Sequence, residues 1–559
     1  MQRERLPYLL IPLAAFVVIL PLLLHGCSCG HDFDFHILSW FEAARQFTRG
    51  NLHPHWAYTP AWNAGEPRFV FYPPLSWTIG AIVGLLFPWT SAPILYIWLA
   101  LTASGLALHR LARAYTTGTA AVIAATLYTA NPYMLFTAYE RSAYAELLAA
   151  AFIPLLLHAI LRDNVTIPRI AIPIALLWLT NAPAAVMSCY ALALLTLIRL
   201  VYPSSSPNPP AQTRLQVALN VVFGTVLGLG IAAFYILPAA YERRYVQIAM
   251  AIIPNMRIQD NFLFHHTGDI PHDQVLHTAS LIAVLLIALT AIVIFLISVM
   301  QRDSAVKFEK SNIKFLRPLS SLTIAIALLL TPLTALLWNH IPELVFLQFP
   351  WRLVAILAAI LAFTIALSLS RLNLKPTSTA AVVVLTAILF TYPAYALFHQ
   401  ACDQDDTVEA RVALFNSNKG TDPTDEYTPT TADNDSLAQT NPPYWLATDL
   451  NAKAPTNVQP GPAPTHLSFQ TSEPGSLILN LRDYPSWRIA LNGLPIIDRN
   501  PESQRDDGLI ALSVPAGPST IDISYSQTLD QTLGDAISVS SLVLLVLFVR
   551  RDYRRFHAT

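Results

Sequence analysis

The chain has 559 residues, of which 54% are hydrophobic and only 12% are charged, and its formal net charge at pH 7 is −1. Soluble globular proteins carry about 25% charged residues, so this composition predicts a membrane protein with repeated apolar segments of about 20 residues. The near-zero net charge offers no basic field for nucleic acid, and the sequence contains no Gly-rich phosphate loop or zinc-type cysteine pattern. The four cysteines, Cys27, Cys29, Cys189 and Cys402, are too few for a disulfide scaffold.

Twelve apolar segments along the chain are long enough to predict membrane-spanning helices. They cover residues 8–25, 92–109, 117–136, 144–161, 169–186, 186–201, 217–238, 278–300, 318–337, 352–370, 379–398 and 535–549. The first segment is interpreted as an uncleaved helix rather than a signal peptide, since more spans follow it. Another apolar stretch, residues 73–89, is ambiguous because it could cross the membrane or lie along its surface.

The basic residues decide the topology. If residues 73–89 do not cross, most arginines and lysines fall in connections on one side of the membrane, whereas a crossing would reverse this bias. Those residues include Arg3, Arg110, Lys307, Lys310 and the "RRDYRR" tail. The positive-inside rule then places both termini in the cytoplasm and predicts a juxtamembrane helix at 73–89. The expected fold is mainly α, a polytopic membrane protein with about twelve transmembrane helices.

The composition changes sharply after residue 400. Residues 1–400 are predicted to form the transmembrane domain, with a large first outer loop at 26–91. Residues 401–533 are predicted to lie outside the cytoplasm, with a polar Pro- and Asp-rich linker followed from about 465 by alternating strands and an "NG" hairpin turn. This pattern indicates a small β-sandwich-like domain, and residues 534–559 supply a final span and a basic tail.

The first outer loop opens with "GHDFDFH", residues 30–36, directly after the first apolar run. If this stretch is extended, Asp32, Asp34 and His36 share one face. An amphipathic helix is then predicted from about residue 35, lying on the membrane. One aspartate could simply cap that helix, and the histidines could be interfacial side chains. Alternatively, a carboxylate here could act as a general base, or Asp32, Asp34 and His36 could hold Mg²⁺ or Mn²⁺.

Aromatic residues fill the rest of this loop. Such rings favour membrane interfaces, but they could also form a platform on which a sugar ring stacks, with polar neighbours that bond its hydroxyl groups. The residues in this second interpretation are Trp56, Trp62, Glu66, Arg68 and Tyr72.

Several arginines lie at the predicted outer ends of spans, against the positive-inside trend. They could form structural ion pairs, Arg141 with Glu140 or Glu146 and Arg243 with its neighbour Glu242. They could instead clamp a phosphate group, for which guanidinium geometry is well suited. Arg352 is the strongest candidate for a clamp, because "QFPWR" offers it no adjacent acid. The candidate substrate-binding residues here are Arg141, Glu146, Arg243 and Arg352.

These segments resemble a known family. "GHDFDFHILSWFEAARQF", "NPYMLFTAYERSAYAELLAAAFIPLLL", "FYILPAAYERRYV", "IPELVFLQFPWRL" and "YPSWRIALNG" are similar to bacterial membrane proteins described as 6-pyruvoyl-tetrahydropterin synthase-related, within the type C glycosyltransferase (GT-C) fold class. The resemblance implies a bacterial inner-membrane glycosyltransferase that transfers a sugar from a polyprenyl-phosphate donor to a glycan or lipid acceptor on the outer face. It also implies that Asp32 is the base or metal ligand and that His36 is the second matched position.

Two other functions remain open from the sequence. A glycan or lipid transporter would require charged residues in the middle of spans or broken helices in an inverted repeat, and few such charges are present. A non-catalytic protein that keeps the fold in envelope biogenesis is also compatible with these residues.

Overall fold

The computed structural model describes residues 5–202, 212–302, 313–496 and 505–557, and most of them are helical. The helices before the polar segment are α1 (Pro7–His25), α2 (Phe33–Thr48), α3 (Arg68–Phe71), α4 (Pro74–Leu86), α5 (Ala92–Arg113), α6 (Gly118–Thr129), α7 (Pro132–Tyr139), α8 (Tyr144–Ala149), α9 (Ile153–Leu161), α10 (Ile167–Trp178), α11 (Ala182–Val201), α12 (Arg214–Ile231), α13 (Ala233–Glu242), α14 (Ile270–Arg302), α15 (Ile313–Leu329), α16 (Ala335–His340), α17 (Val354–Ser368) and α18 (Pro376–Phe398). Two more follow, α19 (Val408–Asn416) and α20 (Leu529–His557).

Nine helical segments in the described ranges are long and apolar enough to cross a membrane. They are Pro7–His25, Trp89–Arg113, Tyr144–Leu161, Ala182–Val201, Arg214–Ile231, Ile270–Met300, Pro350–Ser368, Pro376–Phe398 and Leu529–Arg554. The pair Lys314–Leu329 and Pro332–His340, bent by 90°, supplies a tenth if it counts as one span. The chain is therefore a polytopic membrane protein, as its composition predicts.

The other two predicted spans are shorter helices with a physical reason for their breaks. Residues 117–136 divide into α6 and α7 at Asn131, whose side chain accepts hydrogen bonds from the backbone N–H groups of Tyr133 and Met134. The predicted span 169–186 is divided as well, because α10 ends after 12 residues and α11 begins at Ala182. The Asn181 side chain caps α11 by accepting a hydrogen bond from the backbone N–H of Ala184. Asparagine is a favoured cap, so each interruption is encoded locally.

Helix α4 covers the ambiguous stretch at 73–89. Its 13 residues extend about 20 Å, too little for a hydrocarbon core of about 30 Å. Ile82, Leu85 and Leu86 are exposed on it, as expected of a helix along a membrane surface. Of the basic residues counted in the topology argument, Arg3, Lys307 and Lys310 lie outside the described residues.

Helix α2 forms where an amphipathic helix is predicted, but protein covers its apolar face. Trp40 stacks on Tyr96 with ring centroids 4.9 Å apart. Phe41 packs edge-on against Trp89 at 4.6 Å and also contacts Phe415 of α19. The expectation that this face lies on the membrane is therefore wrong, because α4, α5 and α19 occupy the place of lipid.

The C-terminal domain consists of two antiparallel sheets, which confirms the small sheet domain expected there. The strands are β1 (Tyr444–Ala447), β2 (His466–Thr471), β3 (Gly475–Arg482), β4 (Trp487–Leu491), β5 (Leu494–Pro495), β6 (Leu509–Val514) and β7 (Gly517–Tyr525). The sheet orders are β1-β3-β6 and β2-β7-β4-β5. The predicted hairpin turn joins β4 and β5, and both Asn492 and Gly493 have the positive φ that such a turn requires.

The first outer loop is built into this domain. Trp56 packs against Tyr484 and Trp487 in the core between the sheets, and the backbone N–H of Arg482 donates to the carbonyl of Ala64 at 3.0 Å. A disulfide between Cys29 and Cys402 ties the start of the loop to the start of the polar segment. The domain therefore fixes the loop that holds Asp32.

Candidate functional site

Asp32 lies at the first turn of α2 and is placed by a close backbone approach. The N–H of Gly30 donates to the Ser142 hydroxyl at 3.1 Å, and the N–H of Asp32 donates to the Arg141 carbonyl at 2.8 Å. A Cβ on Gly30 would lie 2.3 Å from the Glu140 carbonyl oxygen, so only glycine permits this contact. The loop before α2 is thus held directly against the segment that carries Arg141.

The Asp32 carboxylate has few protein partners. It occupies the N-cap position of α2 but caps no backbone N–H group, so the capping interpretation is not realised. Its side chain is 46% exposed, and the nearest cation, Arg141 Nη2, is 3.9 Å away. Among the described residues this carboxylate accepts no hydrogen bond, which leaves it accessible to a ligand.

A buried charge cluster lies beside Asp32. Arg141 Nη1 donates to Glu146 at 2.7 Å, and Arg352 Nε lies 3.4 Å from the same carboxylate oxygen. The Tyr133 hydroxyl donates to the other oxygen of Glu146 at 2.5 Å. The Arg141 guanidinium also stacks over the Trp351 ring at 4.6 Å. One acid thus holds two arginines, and this set is called the Arg141–Glu146–Arg352 cluster below.

The two arginines of the cluster differ in how fully protein groups satisfy their charge and hydrogen bonds. Burial alone would lower the pKa of Arg141, but Glu146 and Asp32 outweigh that effect and raise it, so this arginine remains charged. Arg352 Nε is buried and makes no hydrogen bond in the described part of the chain, although its Nη1 donates to the Leu347 carbonyl at 3.0 Å. A buried guanidinium N–H without a hydrogen bond is costly, and a ligand oxygen would remove that cost.

His36 belongs to an aromatic group rather than to an exposed acid–histidine pair. It is 1% exposed, and its ring lies 5.2 Å from Tyr144 and 5.8 Å from Tyr72. Burial lowers the pKa of His36 to about 4, although Asp32 opposes this shift, so the imidazole is neutral near pH 7. Tyr72 packs on Phe35 at 4.8 Å and lies at the edge of the site.

The structure does not support the predicted metal site of Asp32, Asp34 and His36. Residue 33 already begins a helix, so Asp34 points away from Asp32, whereas the prediction assumed an extended chain. Asp34 forms a two-pronged ion pair with Arg411, with one contact at 2.8 Å. Within the described ranges, the group of metal-ligating side chains that converges is Cys27, Cys29 and Cys402, two of which form the disulfide.

Trp56 and Trp62 do not form the predicted sugar platform. Trp56 is 2% exposed inside the C-terminal domain. Trp62 packs against residues of β1 and β3, its backbone N–H donates to the Thr421 carbonyl, and its backbone carbonyl accepts from the Asn480 side-chain amide. The domain encloses Trp56, and Trp62 is half-buried against it, so both residues anchor the loop.

Glu66 and Arg68 are likewise occupied by protein. Arg68 Nε donates to Glu66 at 2.8 Å, and both oxygens of Glu66 accept hydrogen bonds from Thr424. Arg68 also donates to Ser39 and Thr424 and lies over the Phe35 ring. Since Glu66 is fully buried, neither residue can bond a sugar hydroxyl without breaking this network.

Arg243 is not part of the buried cluster. It lies exposed in the turn Arg243–Tyr245 after α13, next to the C-terminal domain. Its neighbour Glu242 is fully buried and accepts hydrogen bonds from Tyr484, Thr528 and Gln531.

Three residues of this region were missed by sequence reasoning. Tyr133 and Trp351 support the cluster, and Arg411 occupies Asp34. Trp351 directly precedes Arg352 in the sequence, and Tyr133 follows the helix-capping Asn131, but neither neighbour specifies a partner. Arg411 comes from the polar segment 377 residues after Asp34, and no local pattern predicts that pairing.

Comparisons with known proteins give a limited result. No protein-family model matches the chain, and no curated protein matches it. Similar solved structures include the cryo-EM structure of arabinofuranosyltransferase AftD from mycobacteria, at 15% identity and a TM-score of 0.42, covering 93% of this chain and 40% of that one. A mutant of AftD in its second class gives 14% identity, a TM-score of 0.45, and coverage of 93% and 42%. The chain spans about two-fifths of the length of AftD, and values this low assign it no activity.

Proposed function

We propose that the chain is a membrane glycosyltransferase of the GT-C kind, which transfers a sugar from a polyprenyl-phosphate donor to a cell-envelope acceptor at the outer membrane face. The observation that supports this is the proximity of a half-exposed carboxylate that makes no capping bond, Asp32, to the buried Arg141 and to Arg352, whose side chain is 12% exposed. Transfer from a sugar phosphate requires a base that takes the proton of the acceptor hydroxyl and positive groups that stabilise the leaving phosphate. Asp32 could supply the first and the two arginines the second.

In the proposed reaction, Asp32 accepts the proton of an acceptor hydroxyl as its oxygen attacks the anomeric carbon. The bond between that carbon and the phosphate oxygen breaks, and the phosphate leaves with the electron pair. Arg352 and Arg141 stabilise the charge that develops on the leaving phosphate, since guanidinium groups bind phosphate oxygens through directed N–H donors. Glu146 holds both arginines in place and lowers the cost of burying them.

The aromatic residues around Asp32 have a supporting role in this proposal. Tyr72, His36 and Phe35 pack together behind the carboxylate, and neutral His36 adds no competing positive charge. A dry aromatic wall strengthens electrostatic interactions in the site because it excludes water. His36 is therefore a positioning residue here rather than an acid or base.

The test uses the purified full chain in lipid nanodiscs, a set of radiolabelled polyprenyl-phosphate pentoses and hexoses, and envelope glycan acceptors. General-base catalysis contributes about 10²- to 10⁴-fold, so Asp32→Asn is expected to lower turnover at least 100-fold while donor binding persists. Asp34→Asn is the matched control, two residues away and bound to Arg411, and is expected to retain turnover.

Full turnover by Asp32→Asn would remove this carboxylate from the chemistry and overturn the proposal. A wild-type chain that binds the donor but transfers no sugar would favour the non-catalytic alternative. The proposed orientation is tested by a Lys419→Cys variant, because residue 419 is exposed beside the domain and should react with an impermeant thiol reagent added outside intact cells.

A further inference from the structure

A polar cavity of about 120 Å³ lies at the end of the helix bundle opposite the C-terminal domain. Its walls come from the turn between α9 and α10, from α12 and from the end of α20, and include Asn164, Gln212, Asn220 and Arg551. Helix α20 begins next to the domain at Leu529, and Arg551 in the cavity wall lies 22 residues further on, about 33 Å along the helix. The cavity is therefore remote from Asp32.

The walls of the cavity are held open by side-chain amides. Gln212 accepts from the Val165 N–H at 2.9 Å and donates to Asn164 at 2.9 Å. Asn220 donates to the Val165 carbonyl at 2.9 Å. These bonds fix the turn at 164–165 against α12, so the cavity is part of the fold rather than a gap between mobile side chains.

Arg551 and three further arginines from other elements lie in or near this cavity. Arg551 lines it, and Arg169 donates to the carbonyl of the lining residue Asn164. Arg162 precedes the same turn, and Arg110 lies within electrostatic range of Arg169. The positive-inside rule accounts for basic residues on this side of a membrane, but it does not require them to gather around one cavity.

The acids nearby do not balance these four charges. Asp552 lines the cavity and lies 3.9 Å from Arg551. Asp163 is held by Lys314 at 2.7 Å. The surroundings therefore keep an excess of positive charge, which favours an anionic ligand that bears a phosphate group.

Exposed apolar side chains continue from the cavity along two helices. On α12, Phe223 lies one turn beyond Asn220 and is 54% exposed. On α20, Leu547 lies one turn before Arg551 and is also 54% exposed. A phosphate bound in the cavity would thus lie directly above apolar surface, an arrangement that suits a lipid and gives nothing to a soluble phosphate.

We propose that this cavity binds the phosphate headgroup of an anionic phospholipid, with an acyl chain lying along α12 and α20. The cavity has room for a phosphate-sized group, since one water takes about 30 Å³ of liquid volume. Basic pockets between transmembrane helices on the cytoplasmic side are suitable sites for such headgroups. The site is separate from Asp32 and does not depend on the proposed transfer reaction.

The test is native mass spectrometry of the purified full chain titrated with phosphatidylglycerol, with phosphatidylcholine and with inorganic phosphate. Each arginine near an anionic headgroup contributes about 1 kcal/mol, so Arg551→Gln is expected to weaken phosphatidylglycerol binding about fivefold and Arg169→Gln with Arg551→Gln about 25-fold. Arg551 has a 48% exposed side chain at a helix end, so its variant should fold even if the double variant does not. Lys375→Gln, in the connection between α17 and α18, is the control and should bind as the wild type does.

Equal binding of phosphatidylglycerol by Arg551→Gln and Lys375→Gln would overturn the proposal. Phosphatidylcholine binding as tightly as phosphatidylglycerol would overturn it as well, because the anionic charge would then have no role. Inorganic phosphate that binds alone and displaces the lipid at equal concentration would assign the cavity to a soluble phosphate instead.

Discussion

Two Arg–Glu clusters in this molecule contain the same charged residue types but differ in how completely protein groups satisfy their hydrogen bonds. Glu66 and Arg68 saturate each other and Thr424, so every charged oxygen there has a protein partner. In the Arg141–Glu146–Arg352 cluster, Arg352 Nε has no hydrogen bond in the described residues, and the neighbouring Asp32 is half exposed. The comparison teaches that residue identity does not distinguish a structural ion pair from a candidate site. The number of hydrogen bonds that the protein leaves unmade does.

The largest expected effect comes from removing the acid of the saturated cluster. Glu66→Ala leaves Arg68 buried without its counter-ion, and breaking a buried pair in this way costs about 3–5 kcal/mol. Thermal and denaturant unfolding of the full chain in detergent would measure the loss. Glu473→Ala, at an exposed position of the C-terminal domain, is the control. If the two variants were equally stable, the Glu66–Arg68 ion pair would not contribute to the stability of the fold.

A third buried acid, Glu242, sharpens the comparison because its described partners are neutral donors rather than arginines. It accepts from Tyr484, Thr528 and Gln531, and Asp530 lies close by. Burial raises the pKa of Glu242 to about 7 from an ordinary value of 4.5. The folded state therefore binds this proton more tightly than the unfolded state does, and the stabilisation is lost as pH rises between about 4.5 and 7.

We expect the full chain to lose about 2–3 kcal/mol of stability through this group between pH 5 and pH 8. Glu242→Gln keeps the shape and cannot titrate, so its stability should change less over the same interval. The measurement is the difference between wild type and variant in thermal unfolding at the two pH values. A wild type that became more stable than the variant towards pH 8 would reverse the sign and contradict the prediction.

The proposed role of the Arg141–Glu146–Arg352 cluster in binding phosphate is tested by Arg352→Gln. Glu146 keeps Arg141 and Tyr133 in this variant, so stability should change little. A charge-assisted hydrogen bond to phosphate contributes about 1.5–3 kcal/mol, so affinity for a polyprenyl-phosphate sugar should fall roughly 10- to 100-fold. Arg243→Gln, at the exposed arginine, serves as the control. Equal donor affinity in the two variants would remove Arg352 from the proposed clamp.

Local and periodic features of the fold could be predicted from the sequence. Ten of the twelve predicted spans correspond to the nine long helices and the bent pair found in the described residues. The "NG" turn and the strands after residue 465 lie where alternation indicates them. These features depend on hydropathy and on turn residues close together in the chain. The short strand Tyr444–Ala447 lies within the predicted linker, because four residues carry too little alternation to be recognised as a strand.

The candidate site could be predicted only in part. The motif at residues 30–36 indicates Asp32, and the positions of Arg141 and Arg352 at predicted outer ends of spans indicate these arginines; the structure places Asp32 beside the Arg141–Glu146–Arg352 cluster. The role given to Asp34 failed because its partner Arg411 is 377 residues away, and Trp56 was misassigned because the domain that covers it begins more than 300 residues later. Such pairings are set by tertiary packing, which residue spacing does not contain.

The smallest effect is expected from a substitution of Gly30, whose backbone places Asp32 next to the Arg141–Glu146–Arg352 cluster. In Gly30→Ala the new Cβ would lie 2.3 Å from the Glu140 carbonyl oxygen, so the loop must move away from the segment that carries Arg141. Displacing a general base by about 1 Å should lower kcat/KM for sugar transfer roughly 10- to 100-fold, and donor affinity should change less because Arg352 lies on a different segment. Gly118→Ala, where an added Cβ meets only the Arg113 side chain at 3.9 Å, is the matched control. A Gly30→Ala variant as active as Gly118→Ala would show that the close approach is not what positions the carboxylate.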